Sequence, residues 1–169
     1  LGDVYKRQVF LLRVRILCLR QLAAFLMFTL RRITHSQKDV WKKNKAYLTG
    51  LRLDKIRHLA EQFAAQVFLP NLRPFVKRRL ENHLAQGDNV VLLTGTPDFI
   101  AWPIAKKLGI THVAATVCDT KNGYFTSSPP IIHPFGAAKL QIAEKICRNF
   151  NTPLDKCTAY ADSASDISL

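Results

Sequence analysis

The stretch Val90-Val91-Leu92-Leu93-Thr94-Gly95-Thr96-Pro97-Asp98-Phe99 (VVLLTGTPDF, residues 90–99) decides how the chain is read. Four apolar residues in a row, two of them β-branched, suit a short strand buried on both faces. Residues 94–98 read as a tight turn, with Thr96 as N-cap and Pro97 at the first position of the helix that follows. That helix is expected over about residues 98–108, ended by Gly109, and residues 113–117 form the next apolar run. Strand, helix and strand in that order make a βαβ unit with a right-handed crossover, hence two parallel strands.

Upstream of Gly87 the texture is helical throughout. Leu53, Ile56, Leu59, Ala60, Phe63, Ala64 and Val67 recur at 3/4 spacing, which predicts an amphipathic helix over 53–69, stopped by Pro70. Pro74 can open a second helix over 74–86, with Phe75, Val76, Leu80, Leu84 and Ala85 as its apolar residues and Gly87 as its C-cap. Residues 34–50 are polar and basic, with Trp41 and Tyr47 interleaved among Lys42, Lys43 and Lys45. Residues 9–30 are the most apolar, but Arg13, Arg15 and Arg20 interrupt them. A spanning helix needs about 20 apolar residues with few charges. The segment is therefore read as a buried or half-buried helix of a helical subdomain, with a membrane-surface helix as the alternative.

Downstream, a small hairpin is expected over 116–128 around Lys121-Asn122-Gly123, then an extended connector at Pro129-Pro130. Leu140, Ile142, Ala143, Ile146, Cys147 and Phe150 predict a helix over 136–150, and residues 157–161 a third strand. The fold class expected is α/β: a Rossmann-like parallel sheet core with an all-helical cap subdomain. In such sheets ligands bind beyond the carboxyl ends of the strands. Thr94 and Asp162 stand there.

Composition bounds the rest. The chain has 169 residues, 48% hydrophobic and 22% charged, which excludes disordered, collagen-like and low-complexity classes. Its net charge of +13 is uneven: residues 1–80 hold 18 Lys/Arg against 4 Asp/Glu, and residues 81–169 hold 7 against 8. A basic half suggests an anionic partner without saying which. Cys18, Cys118, Cys147 and Cys157 include no pair at metal- or redox-motif spacing, so they are expected to be reduced, mostly buried thiols of a cytoplasmic protein.

Three polar features share the second half. Thr94-Gly95 precedes a helix N-terminus, an arrangement that can bind phosphate, although an ordinary capped turn looks the same. Asp162 and Asp166, four residues apart, offer two hard carboxylates of the kind Mg²⁺ takes, although an Asp that simply caps the last helix looks the same. Lys139, near a helix start, is a compact cation, although by itself it reads as an ordinary surface lysine. Their order resembles the haloacid dehalogenase superfamily, in particular its phosphoserine-phosphatase-like subclass with a helical cap. VVLLTGTPDF resembles that family's second motif at Thr94, HPFGAAKL its third at Lys139, and AYADSASD its fourth at Asp162 and Asp166, with Ala161 where Gly is usual.

The resemblance implies a Mg²⁺-dependent phosphomonoester hydrolase that forms an aspartyl-phosphate. It implies phosphate binding by Thr94, Gly95 and Lys139, catalytic roles for Lys139 and Asp166, metal ligation by Asp162 and Asp166, and a small phosphorylated substrate. One departure is serious: the DxDxT motif that carries the family's nucleophile is absent from the sequence. The opening LGDVYKRQ resembles a transposase-end scar, so residues 1–8 are set aside, 9–86 are expected to be the cap and 87–169 the core. The first core strand is expected to be missing, and this polypeptide by itself inactive. The alternative is a non-catalytic basic helical module that binds an anionic membrane surface or another polyanion, motivated by residues 9–33, with a membrane-peripheral location. No nucleic-acid motif occurs.

Overall fold

The computed structural model describes residues 45–161. They divide into two compact units, one of residues 45–72 with 117–131 and one of residues 73–116 with 132–161.

In the first unit, a 3₁₀ turn Ala46–Leu48 leads into α1 (Leu53–Phe63), continued by a π-helical stretch Ala64–Phe68 and a 3₁₀ turn Leu69–Asn71. The helical path thus passes Pro70, because a proline in the first turn of a new 3₁₀ segment gives up only an N–H that is unsatisfied there anyway. Ile56, Leu59, Ala60, Phe63 and Ala64 are buried, as the 3/4 spacing predicts. The hairpin is present as β3 (Thr120–Lys121) and β4 (Tyr124–Phe125), paired antiparallel. Asn122 and Gly123 both have positive φ, 51° and 78°, as the tightest hairpin turns require. The hairpin belongs with the helical unit rather than with the α/β range 87–169. Its backbone pairs with residues 50–53, through Gly50 N to Phe125 O, Leu53 N to Gly123 O and Phe125 N to Leu51 O. Phe125 is buried.

In the second unit, α2 (Pro74–Ala85) precedes β1 (Val91–Pro97), α3 (Asp98–Lys107), β2 (His112–Thr116) and α4 (Ala137–Asn149). The unit boundary falls after Leu72, so α2 sits with the α/β residues and not with the helices before it. α2 ends at Gly87, whose φ of +78° lets Asp88 N reach His83 O at 3.0 Å and Gly87 N reach Leu84 O at 3.1 Å. β1 and β2 are parallel, with Val91 opposite His112, Leu92 opposite Val113 and Leu93 opposite Ala114. The βαβ unit is therefore as expected. α3 supplies Phe99, Ile100, Ala101, Ile104 and Ala105 to the core, beside Ile110 and Ala115.

Three expectations change. β1 is half-buried up to Thr96, because among the described residues only one strand pairs with it. Residues 157–161 form no strand: a strand exists only against a ladder partner, and none is found there among the described residues. Cysteines 118 and 147 are half-buried and Cys157 is exposed, so these thiols are not core residues. Cys18 lies outside the described residues, as do residues 9–33, on which the membrane-surface reading rests. Among the described residues no helix is long and apolar enough to cross a membrane.

Candidate active site at the end of the first strand

The expected turn after Leu93 is a bulge. From Leu93–Ala114 to Pro97–Thr116, β1 advances four residues while β2 advances two. Thr94, Gly95 and Thr96 are thus pushed out of register, and bulges commonly re-aim a side chain in this way. The Thr96 N–H, freed from the ladder, donates to Thr94 Oγ1 at 3.1 Å. That bond occupies an acceptor position of the hydroxyl and leaves its proton able to donate.

The strand runs to Pro97, which is the residue before the helix rather than its first member, and α3 begins at Asp98. Thr96 is no N-cap. Instead Asp98 Oδ1 accepts from Phe99 N at 2.8 Å, so a carboxylate already sits on the positive end of α3. The free N–H groups expected at this helix start are thus already met in part by the chain's own carboxylate.

Gly95 has a structural role in addition. A Cβ there would meet Pro134 O at 3.4 Å and His133 Cε1 at 3.7 Å. The absence of a side chain lets the 133–134 segment pass close over the bulge. Beneath it, Thr116, fully buried, donates its hydroxyl to Gly95 O at 2.7 Å and lies 2.9 Å from His133 Nδ1. A hydroxyl has one proton, so with that proton on the Gly95 carbonyl the ring must carry its own on Nδ1 and donate it to Thr116. The ring of His133 also stacks on Phe135, 5.8 Å between centroids. Thr116 and His133 were not singled out in the sequence. The signal that could have found them is a polar residue ending an otherwise apolar strand, facing a His in the connector.

The connector that packs on Gly95 leads directly to Lys139, whose N–H donates to Gly136 O at 2.9 Å in the first turn of α4. Thr94, Gly95 and the approach to Lys139 are thus brought to one end of β1. Asp162 and Asp166 lie outside the described residues. The segment before them is anchored further back: Tyr160 Oη lies 2.9 Å from His83 Nε2, within hydrogen-bond distance, and His83 Nδ1 donates to Asp88 Oδ2 at 2.7 Å. This chain ties the 157–161 segment to the end of α2. Among the described residues no group of three His, Cys, Asp or Glu side chains could hold a metal ion.

The parallel βαβ unit thus carries a threonine-bearing bulge at its strand end, overlain by the connector to a lysine-bearing helix. The sequence pattern of the haloacid dehalogenase-like hydrolases matches residues 4–169, and the chain belongs to that family. It is 29% identical over 130 residues to phosphoserine phosphatase SerB1 of Mycobacterium tuberculosis, covering 76% of this chain and 42% of that protein. It is 23% identical over 136 residues to the inhibition of morphological differentiation protein of Streptomyces azureus, covering 78% and 49%. The chain therefore spans less than half the length of these curated relatives. Among solved structures it is similar in fold to a HAD family hydrolase of Salmonella enterica serovar Typhi, with TM-score 0.61, 13% identity and coverage of 86% and 48%. It is similar also to a substrate-bound phosphoserine phosphatase, with TM-score 0.55, 19% identity and coverage of 86% and 69%.

Proposed function

We propose that the chain carries the phosphate- and metal-handling part of a Mg²⁺-dependent phosphomonoester hydrolase, acting on a small phosphorylated substrate in the cytoplasm. The observation that carries this reading is the bulge at Thr94-Gly95-Thr96 with the connector to Lys139 packed on it. In this reading the Thr94 hydroxyl, oriented by the Thr96 N–H, donates to a phosphoryl oxygen, and the Gly95 N–H donates to a second. Lys139 offsets the charge that the phosphoryl group brings, as a cation does best where water is thin. Thr116 and His133 hold the Gly95 peptide in place and do not touch the substrate.

The metal part of the proposal rests on the family and on donor chemistry, since Asp162 and Asp166 are the hard oxygen donors Mg²⁺ takes. Bound there, the ion would polarise phosphoryl oxygens and screen their charge. Asp166 would also orient Lys139. The nucleophile that would attack the phosphoryl centre is an Asp of the family's first motif, which these 169 residues do not contain. The residues before α2 would supply a cap that admits the substrate, its basic side chains attracting an anion. No observation favours the alternative of a non-catalytic membrane-binding module.

The test is a titration of the 169-residue chain with inorganic phosphate, with and without Mg²⁺, followed by amide NMR. Shifts centred on residues 94–96 are expected. Thr94→Ala should weaken phosphate about tenfold, the size of one hydrogen bond to a charged group. Asp162→Asn should abolish the Mg²⁺ effect. Phosphate that leaves 94–96 unmoved would overturn the reading. Hydrolysis of p-nitrophenyl phosphate should stay at background; turnover lost in both variants would show that a nucleophile resides in this chain after all.

A further inference from the structure

We propose that Cys147 and Cys157 form a dithiol modification site that closes to an intramolecular disulfide by exchange with a low-molecular-weight disulfide. The two sulfurs lie 3.3 Å apart. Their spacing of ten residues matches no motif, so only the folded backbone brings them together. α4 ends in a Schellman turn built on the carbonyl of Cys147 itself. Asn151 has φ +51°, Thr152 N donates to Cys147 O at 2.9 Å and Asn151 N donates to Arg148 O at 3.1 Å. Pro153 then opens the 3₁₀ turn Leu154–Lys156, and Cys157 N donates to Leu154 O at 3.0 Å. Every link in this reversal is local, so the juxtaposition needs nothing from outside residues 147–157. A disulfide needs the sulfurs about 2.05 Å apart, a closure of little more than about 1 Å.

Accessibility assigns the order of events. Cys157 is exposed and Cys147 half-buried. The thiolate of Cys157 attacks one sulfur of R–S–S–R, forming Cys157–S–S–R and releasing RS⁻. The thiolate of Cys147 then attacks the Cys157 sulfur and expels the second RS⁻. Two protein thiols are oxidised, one small disulfide is reduced to two thiols, and the two protons go to the two leaving thiolates. The hydrogen bond to Cys147, with a smaller contribution from desolvation, holds Cys157 above the ordinary thiol range, so exchange should quicken as pH rises. The product is a closed loop that pins the 157–161 segment to α4. It stands independently of the phosphatase reading.

The test uses the whole chain in native buffer with glutathione disulfide, followed by alkylation, trypsin digestion and mass spectrometry. The expected product is monomeric protein in which Ile146-Cys147-Arg148 is joined to the peptide that begins at Cys157, with Cys18 and Cys118 alkylated. The linked form should exceed the glutathione-bearing form by about tenfold or more, as an intramolecular partner outcompetes a dilute one. Cys147→Ser should stop at glutathione on Cys157. In parallel, phenylarsine oxide, which needs two adjacent thiols, should be retained by the native protein and lost from Cys147→Ser and Cys157→Ser alike. Glutathione retained on Cys157 of the native protein, or linkage only between chains, would overturn the proposal.

Discussion

Helices α3 and α4 lie in the same α/β unit and both carry an apolar stripe, yet they end differently. α3 buries five of its ten residues; α4 buries none of its thirteen. α3 is the crossover between two strands that pair with each other, so its apolar side has a sheet face to lie on. α4 leads to residues 157–161, which are extended at Cys157 but lack a ladder partner among the described residues. Leu140, Ile142, Ala143 and Ile146 are left half-buried. Periodicity thus says which side of a helix is to be covered, and the neighbouring strand decides whether it is. The proposed site residues divide the same way along the sequence: Thr94 lies on the paired strands, and Asp162 follows a segment without a ladder partner among the described residues.

Core truncation tests this contrast most severely. Ile104→Ala should cost about 3 kcal/mol, in the range for a buried Ile, while Ile142→Ala in α4 should cost less than about 1 kcal/mol because its side chain is already half in water. Urea unfolding of the two variants measures the gap, and equal losses would break the contrast. Next in size, Thr116→Val should cost about 2 kcal/mol by leaving the Gly95 carbonyl and the His133 donor without their buried hydroxyl. Thr116→Ser should recover most of it, which separates the hydrogen bonds from the packing.

A smaller effect tests the helical unit instead. Gly123→Ala should cost about 1 kcal/mol through its positive φ alone, since no atom lies within 4 Å of the added Cβ. Smallest is a pH effect at Asp54. Its hydrogen bonds from Arg52, then from Lys55 N–H, hold its carboxyl below the usual carboxylate range. A depressed folded pKa stabilises above the unfolded value, and that contribution disappears as pH falls through the folded one. Both side chains are exposed, so the effect on acid unfolding should be slight. NMR titration of Asp54 reads the depressed pKa directly, and Arg52→Gln should raise it.

Much of the fold was legible because it is local. The 3/4 spacing of Ile56, Leu59, Ala60 and Phe63 marked α1's buried face, Asn122-Gly123 marked the hairpin, and Gly87 marked the end of α2. The apolar runs either side of α3 announced the parallel pair. The sequence offered Thr94, Gly95 and Lys139 as candidate residue types, without the geometry around them. Nothing in VLLTGTP distinguishes a turn from a bulge, since the outcome depends on the register with which Ala114 and Thr116 pair across the gap.

What the sequence by itself determined is the family, through its motifs, and the order of elements from α1 to α4, through side-chain spacing along one chain. Only the tertiary structure decided that Thr116 and His133 support Gly95 and that the hairpin joins the helical unit. Each of these is a contact between residues that carry no shared pattern, and such contacts exist only once hydrogen-bond register and burial have placed two distant or unpatterned segments side by side.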